Sequence, residues 1–471
     1  MMISLTNEAI IILVSLLVFA KTLRFTFVLD DKAMYDLNKK CKEDLYIFSI
    51  LRKGQRNKLW HWFRAFRHAF YGAGGLTNTY WIDHLITIFL HTVICLQVYW
   101  FFGSSPLSLM TALLYCVNPI NIQTSVWMNG RRYAMSIILA FTALLIFPPA
   151  YLLAPFFQIN TIFAPLLMGW VALPLIGLFM ALTLGYSSAT TVKGFLSRRL
   201  PAIPNCELRV IKPRKAIIFI KSMGFYLYNS LLPVRKYFYY SYMQNFGLSK
   251  KGNEDGYKID VYFWSSYVTV CGIISVLYYC FTHHIHTPLV YGLFFWVLFS
   301  AQWCNVFSVV QMFADRYMSF SSAFLMYAVS YCFLLLGVFY GFVAFLVLFL
   351  LYLTALYETM RLYEKPSNFY DYHLFYSPEN IEARVYKASG LIRQSRFVEA
   401  FPVVSRGLAY NPDDFKINIL VANCLLYIKP SDCEKFIVKA EGNVQLGIED
   451  HCHAVVKDLR DKIAMPVSPA S

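Results

Sequence analysis

Long uninterrupted apolar stretches are the feature that most constrains how this chain can fold. A helix that crosses a bilayer needs roughly 20 consecutive, mostly apolar residues. Ten stretches qualify as candidate spans: 8–29, 81–102, 106–126, 133–155, 160–186, 215–233, 260–282, 288–310, 317–337 and 338–357. A short eleventh span at 187–197 is left open. The sequence therefore predicts an all-α, polytopic transmembrane bundle of about 10–11 spans.

The low charge content supports this prediction. Charged residues make up 15% of the chain, whereas soluble globular domains carry about 25%. The first apolar run, 10–20, has no basic segment before it and no small-residue cleavage site, so it is predicted to be a first span or a signal anchor.

The formal net charge of +15 does not indicate a nucleic-acid partner. The basic residues lie in loops between apolar stretches, where Lys and Arg normally face anionic lipid headgroups. The eleven cysteines are scattered and include no CxxC pair, so spacing indicates neither a zinc site nor a disulfide framework.

The composition changes after residue 357, where charges become frequent and helical periodicity replaces continuous apolarity. This predicts a transmembrane domain over 1–357 and a soluble helical region over 358–471. Pro378 and Pro412 are 34 residues apart, the period of a tetratricopeptide repeat. Small residues at 388, 400 and 407 would let two antiparallel helices pack closely. A simple helical hairpin is the alternative.

A first external loop is predicted over 30–80. Its middle, 45–70, alternates aromatic and basic residues, a pattern typical of helices that lie on a membrane surface. Asp30 and Asp31 stand where the first span ends. Ionisable groups at such a depth are costly and tend to mark function, for example a general base. A plain helix-end signal is the alternative.

Two histidines, His84 and His91, are seven residues apart and therefore share one helical face. We expect both to point into the bundle, either as site residues or as an interhelical hydrogen-bonding pair.

Polar residues also cluster between the third and fourth predicted spans. Asn118 and Gln123 are followed by Arg131 and Arg132, and Arg316 stands at a later span junction. The planar guanidinium fork of arginine matches phosphate oxygens. Snorkelling to lipid phosphates is the alternative for these arginines.

Two further groups carry a weaker metal-binding signal. They are His283, His284 and His286, and the segment His451-Cys452-His453. Neither is accompanied by further ligands at a matching spacing.

Taken in chain order, several segments resemble motifs of the GT-C membrane glycosyltransferases. The closest resemblance is to the transmembrane O-mannosyltransferases that carry tetratricopeptide repeats. The matching segments are Asp30-Asp31, His84-Leu85, Leu90-His91, Asn118-Pro119, Trp127 to Arg131, Leu232-Pro233 and Ala314 to Tyr317, followed by the C-terminal repeats. The order of the segments carries the resemblance more than any one of them does.

The resemblance implies a GT-C-like fold and the transfer of a mannose-like hexose from a polyprenyl-phosphate donor to a hydroxyl, Ser or Thr of a protein acceptor. It implies that Asp30 or Asp31 accepts the proton of the attacking hydroxyl. Residues implied to bind the donor or its phosphate are Arg131, Arg132, Arg316, His84, His91, Asn118 and Gln123. The resemblance places the protein in a bacterial inner membrane or the endoplasmic reticulum membrane, with the active site on the non-cytoplasmic face. It assigns no metal ligand and leaves a divalent metal open as a cofactor.

Departures from the family pattern motivate a second hypothesis. The family's His-Pro-x-His-x-Glu turn has Asn118, Asn121 and Gln123 here in place of its three titratable residues, and its Ser-Lys-Glu motif keeps only Lys193. A catalytically inactive relative that serves as a membrane scaffold or partner-binding subunit would tolerate these losses. A transporter is disfavoured, because the sequence has no paired broken spans and no inverted repeat.

Overall fold

The computed structural model describes residues 2–26, 28, 80–146, 212–232, 261–301, 304, 315–376, 378, 380–443 and 449–464. All regular secondary structure within these ranges is helical, which confirms the predicted all-α class. Contacts divide the described residues into two compact units, an N-terminal unit up to Lys365 and a C-terminal unit from Pro366 onwards. The predicted surface helices of the first loop and the predicted spans at 160–186 and 187–197 lie outside the described residues.

Ten helices of the N-terminal unit fall within the described ranges. They are α1 (Met2–Phe19), α2 (Tyr80–Phe101), α3 (Pro106–Val117), α4 (Ile122–Ser125), α5 (Arg131–Leu145), α6 (Lys212–Leu231), α7 (Val261–Thr282), α8 (Pro288–Ala301), α9 (Ser321–Leu335) and α10 (Val338–Glu364). The predicted domain boundary at residue 357 falls inside α10, because the helix continues to Glu364.

Four of the described helical segments are long and apolar enough to cross a membrane. They are Thr6–Arg24, Tyr80–Phe101, Phe263–Thr282 and Val338–Leu362. Large apolar side chains remain exposed along α7 and α10, as with Tyr278 at 72% and Phe342 at 60% exposure. A water-facing surface would not normally carry such continuous apolar faces, so the composition of these helices suits a lipid surrounding.

The third predicted span, 106–126, is shorter in the structure. Ser105 and Ser108 form a reciprocal capping box at the start of α3, and Pro106 occupies the first helical position. The helix ends at Val117 because Pro119 cannot continue it. Residues 118–130 then form a compact run of turns around α4.

Helices α1 and α2 define the two ends of the N-terminal unit. At one end, the Asn7 side-chain amide donates to the Tyr99 hydroxyl at 3.1 Å, so the start of α1 lies beside the last turn of α2. At the opposite end, the backbone N–H of Thr26 donates to the Glu364 carbonyl at 3.3 Å. We call this opposite end the turn-rich end, because it gathers residues 20–26, 28, 118–130, 315–320 and the last turn of α10.

The last turn of α6 is closed by side chains from two other segments. The Tyr352 hydroxyl on α10 donates to the carbonyl of Ser230 at 2.8 Å and lies 3.1 Å from that of Leu231. The Asn118 amide donates to the same Ser230 carbonyl at 3.0 Å. Because the last carbonyls of a helix have no partner within it, these side chains satisfy groups that would otherwise be buried and unpaired.

The C-terminal unit contains six helices within the described residues. They are α11 (Pro366–Tyr376), α12 (Ile381–Arg393), α13 (Phe397–Tyr410), α14 (Phe415–Ile428), α15 (Cys433–Glu441) and α16 (Glu449–Ala464). Short connections make neighbouring helices antiparallel, and the ring of Phe397 at the start of α13 stacks 3.9 Å from that of Tyr427 at the end of α14.

Helices α12 and α14 begin in the same way, 34 residues apart in the sequence. Asn380 accepts from the backbone N–H of Ala383 at 3.0 Å, and Asp414 accepts from that of Ile417 at 3.1 Å. Both are side-chain N-caps. The chain therefore repeats one local structure with the period that Pro378 and Pro412 indicate.

The equivalence extends into the first turn of each helix. Arg384 donates through Nε to the Pro378 carbonyl at 3.0 Å, and Asn418 donates to the Pro412 carbonyl at 2.9 Å. Gly407 on α13 also fits the predicted close packing, because a Cβ there would lie 2.9 Å from Cδ1 of Ile417.

Candidate functional site

The turn-rich end of the N-terminal unit brings together buried polar side chains from distant parts of the sequence. The turns at 118–130 are held by their own side chains, since the Asn121 amide donates to the Tyr115 carbonyl at 2.9 Å. Gly130 packs directly on this run, and a Cβ there would lie 1.7 Å from the Gln123 carbonyl oxygen. This close approach requires glycine, and it places Arg131 at the first position of α5.

A buried ion pair joins α5 to α2. The Arg131 guanidinium donates through Nη2 to Oδ1 of Asp83 at 2.9 Å, with only 2% and 1% of the two side chains exposed. It donates through Nε to the Thr87 hydroxyl at 3.1 Å and through Nη2 to the Asp83 carbonyl. Arg131 therefore lies inside the bundle, and snorkelling to lipid is excluded for it.

Arg316 is the second buried arginine at this end, with 5% exposure. It donates through Nε to the Tyr133 hydroxyl at 2.8 Å and through Nη1 to Oε1 of Gln123 at 2.9 Å. Its guanidinium carbon lies 5.9 Å from the ring centre of Trp127 and 5.0 Å from that of Tyr317. Aromatic rings, a hydroxyl group and an amide oxygen thus lie around the charged group.

His84 lies beside the ion pair in the first turn of α2. It is 3% exposed and interacts with the Phe25 backbone, but neither ring nitrogen has a hydrogen bond of normal geometry within the described ranges. The Phe25 ring meets it edge-on, 6.0 Å between centroids. A buried imidazole without a well-formed hydrogen bond is costly, and this marks His84 as a group suited to a ligand.

The structure therefore brings together two arginines and one hydrogen-bond acceptor that the sequence predicts as site residues, namely Arg131, Arg316 and Gln123. Arg131 and Tyr133 share the first turn of α5, and Tyr133 binds Arg316, which in turn binds Gln123. This chain of contacts connects four segments: the start of α2, the turns at 118–130, the start of α5 and the turn at 315–317.

Asn118 and His91 have other surroundings. Asn118 is 0% exposed, with its amide on the Ser230 carbonyl and its Oδ1 accepting from the backbone of Ile120, so its bonds shape the turn. His91 is two helical turns beyond His84, about 10 Å along α2. It lies against Cys95 and Cys116 instead of the arginines. The predicted inward orientation of both histidines is confirmed by their burial.

Three predicted site residues lie wholly or partly outside the described ranges. Asp30 and Asp31 lie outside the described residues; they follow the buried Val28 by two and three positions. Arg132 lies in the first turn of α5, and its side chain is outside the description.

The weaker histidine groups show no assembled ligand set within the described residues. His283 contacts the Tyr279 carbonyl at 2.9 Å, and the rings of His284 and His286 are 6.4 Å apart on an exposed turn. The side chains of His451 and Cys452 lie outside the description.

Sequence reasoning missed two features of the turn-rich end and its neighbourhood. Asp83 was not predicted as the partner of Arg131, although an acid inside an apolar span signals a buried cation nearby. The proximity of Cys95 to His91 was detectable from their spacing of four residues on one helix. Cys116, on α3, could join them only through tertiary packing.

Comparisons with known proteins find no relative. No family model matches the sequence, no curated protein matches it, and no solved structure matches its fold.

Proposed function

We propose that this chain is a membrane glycosyltransferase of the GT-C type, which moves a sugar from a polyprenyl-phosphate donor to a hydroxyl acceptor. One observation carries the proposal. Two buried arginines and the buried His84 lie at the end of the bundle that also holds the buried Val28, two and three positions before Asp30 and Asp31 in the sequence. The order of the sequence motifs supplies the reaction type.

The two arginines receive different roles. Arg131 is already paired with Asp83 at 2.9 Å, so it positions the first turns of α2 and α5. Arg316 donates to the neutral groups of Gln123 and Tyr133. A phosphate oxygen would form charge-assisted hydrogen bonds with this guanidinium, which are roughly twice as strong as hydrogen bonds between neutral groups. We therefore assign the leaving phosphate to Arg316.

The proposed reaction is a single displacement. The acceptor oxygen attacks the anomeric carbon, and the bond between that carbon and the phosphate oxygen breaks with its electron pair on the polyprenyl phosphate. The acceptor's proton passes to the carboxylate of Asp30 or Asp31. Stabilisation of developing charge by one well-placed donor is worth about 2.7–4 kcal/mol of barrier, which sets the scale expected for Arg316. His84 would hydrogen-bond the sugar or its phosphate.

The four long apolar helical segments support an integral membrane location. The bacterial inner membrane or the endoplasmic reticulum membrane is what the family resemblance implies. The polyprenyl tail of the donor belongs in lipid, so its headgroup must be processed near the membrane surface. We place the turn-rich end at the non-cytoplasmic face, as the family resemblance implies.

The C-terminal unit is proposed to be tetratricopeptide-like and to present a protein acceptor. The equivalent N-caps Asn380 and Asp414, 34 residues apart, support this assignment. A repeat of this length stacks antiparallel helix pairs, whose surface commonly binds an extended peptide.

A catalytically inactive relative is the second candidate. Asn118 and Gln123 stand where the family has titratable residues, and both have bonds that shape the turns: Asn118 with the Ser230 carbonyl and Gln123 with Arg316. A scaffold needs only such structural bonds. This candidate would bind a partner through the C-terminal unit and turn over no donor.

The decisive experiment measures sugar transfer by the purified full-length protein in nanodiscs, with polyprenyl-phosphate-mannose as donor. Asp30→Asn, Asp31→Asn and Arg316→Gln are compared with Arg361→Gln, whose side chain is 62% exposed on α10 and pairs with Glu358 at the surface. We expect turnover in wild type and Arg361→Gln, and its loss in Arg316→Gln and one aspartate variant. Equal activity in every variant refutes the assigned roles, and no turnover with any polyprenyl-phosphate sugar favours the scaffold.

A further inference from the structure

Away from the arginines, α2 and α3 bring together three side chains that are common metal ligands. His91, Cys95 and Cys116 are all buried, and one ligand atom from each lies within 4.8 Å of the other two. Cys95 Sγ lies 3.8 Å from His91 Nε2. His91 and Cys95 are four residues apart on α2, so both project from one helical face towards α3.

These separations fit a tetrahedral zinc ion. With Zn–S bonds of about 2.3 Å and Zn–N bonds of about 2.0–2.1 Å, ligand atoms around zinc lie roughly 3.5–3.8 Å apart. The Cys95–His91 separation already has this value. The Cys116 ligand atom lies within 4.8 Å of the other two, so a shift of about 1 Å would bring it to the same range.

The surroundings contain a polar atom that a ligand would explain. His91 is 0% exposed, and its Nε2 faces the Cys95 thiol. The Tyr115 ring stacks at 6.0 Å from the His91 ring, and the Tyr115 hydroxyl, also buried, lacks a partner within the described ranges. With zinc bound through one ring nitrogen, bound thiolates would offer the phenol an acceptor.

The net charge of the complex favours Zn(II) over Cu(I). Two thiolates and a neutral imidazole around Zn(II) give a complex of zero net charge, whereas the same ligands around Cu(I) leave one negative charge. An uncompensated charge in an apolar interior is strongly disfavoured. Phe19 closes the cluster from α1, with its ring 5.0 Å from that of His91, so the site is walled by apolar and aromatic groups.

We propose that His91, Cys95 and Cys116 bind one Zn(II) ion, which fastens α2 to α3 beneath the turn-rich end. The ion is structural in this proposal. Its three protein ligands come from two helices, and the fourth position is open to the Cys116 carbonyl, which lies 3.2 Å from His91 Nε2. The proposal does not depend on sugar transfer.

The test uses the full-length protein purified in nanodiscs, loaded with Zn(II) and dialysed, with bound metal measured by mass spectrometry. We expect one equivalent in wild type and its loss in Cys95→Ser and Cys116→Ser. Cys304→Ser is the matched control, because Cys304 is equally buried and its thiol contacts the Ser300 carbonyl. Cobalt should give thiolate-to-metal charge-transfer absorption in wild type and Cys304→Ser, and in neither cluster variant.

A second measurement needs no variant. In wild-type protein, Zn(II) should slow alkylation of Cys95 and Cys116 at least tenfold and leave the alkylation rate of Cys304 unchanged, as read by peptide mass spectrometry. Absence of bound zinc in wild type, equal binding in the cluster variants, or equal protection of Cys304 would overturn the proposal. Stoichiometric Cu(I) binding without Zn(II) binding would also overturn it. None of these assays measures sugar transfer, so failure of the zinc proposal and failure of the proposed function can be told apart.

Discussion

Arg131 and Asp83 form an ion pair of 2.9 Å in which both side chains are almost fully buried. The two residues are 48 positions apart, so the pair fixes the first turn of α2 against the first turn of α5. Removing one member of a buried pair leaves the other charge without this compensation. This contact therefore helps to set the position of His84 relative to Tyr133, which binds Arg316.

Asp83→Asn should destabilise the protein by about 3–5 kcal/mol, the usual cost of breaking a buried ion pair from one side. Asp83→Asn combined with Arg131→Gln should recover a large part of that loss, because no buried charge is left unmatched. Thermal unfolding in nanodiscs measures both. Arg361→Gln, at the surface of α10, serves as the control and should hardly move the midpoint. A double variant no more stable than the single one would contradict the pair's assigned role.

Gly130→Ala should disrupt the candidate site. The added Cβ would lie 1.7 Å from the Gln123 carbonyl oxygen, so the turn must move and carry Arg131 with it. We expect a fall in unfolding temperature together with a loss of sugar transfer. Gly272→Ala is the matched control: this α7 glycine has no atom within 4 Å of an added Cβ, and alanine in a helix interior favours stability by up to about 1 kcal/mol. Equal behaviour of the two variants would show that the turn at Gly130 is not constrained.

Arg316→Lys keeps the positive charge and removes the planar fork that reaches both Tyr133 and Gln123. We expect kcat/KM for the polyprenyl-phosphate sugar to fall by roughly 10²–10³, the scale of losing one oxyanion-stabilising donor. The loss should fall mainly on kcat, because the phosphate gains most of its charge as the bond to the sugar breaks. A change confined to KM would mean that Arg316 only binds the donor.

His373 should make the C-terminal unit sensitive to acid. Burial lowers its pKa to about 4, while its Nδ1 contacts the Phe369 carbonyl at 2.7 Å. As the pH falls from 6.5 to 4, His373 becomes protonated in the unfolded state but stays neutral in the folded state. The contribution of His373 to the free energy of unfolding is therefore complete above about pH 6.5. It declines towards pH 4, by roughly 3 kcal/mol in total.

Hydrogen-exchange protection factors of α11 and α12 in the full-length protein measure this effect. His373→Phe keeps a ring against Phe369 and removes the titrating group, so its protection should be less dependent on pH over the same range. Identical pH profiles in wild type and variant would exclude His373 as the source.

The helical class could be predicted because span length and low charge leave few other folds for such a chain. Local signals such as the Ser105 capping box also act within a few residues, so α3 began where the sequence indicated. Its end was predicted nine residues too late, at 126 instead of Val117. The apolar residues after Pro119 are typical of a continuing span, although the backbone forms turns there.

The site was only partly predictable. Arg131, Arg316 and Gln123 were identified because arginines and amides are conspicuous in apolar sequence. Their actual partners, Asp83 and Tyr133, come from segments that only the packed bundle brings close. His91 was grouped with His84 by helical phase, yet a separation of two turns places it with the cysteines of α2 and α3.

The closure of α6 by Tyr352 has a consequence for biogenesis. The carbonyls of Ser230 and Leu231 receive the Tyr352 hydroxyl from a residue 121 or more positions later in the chain. When α6 is first synthesised, α10 does not yet exist, so the Leu231 carbonyl must accept from water or another donor, whereas Asn118 is already available to the Ser230 carbonyl. The last turn of α6 can therefore be completed only after α10 has been made, which makes the order of synthesis part of how this bundle is assembled.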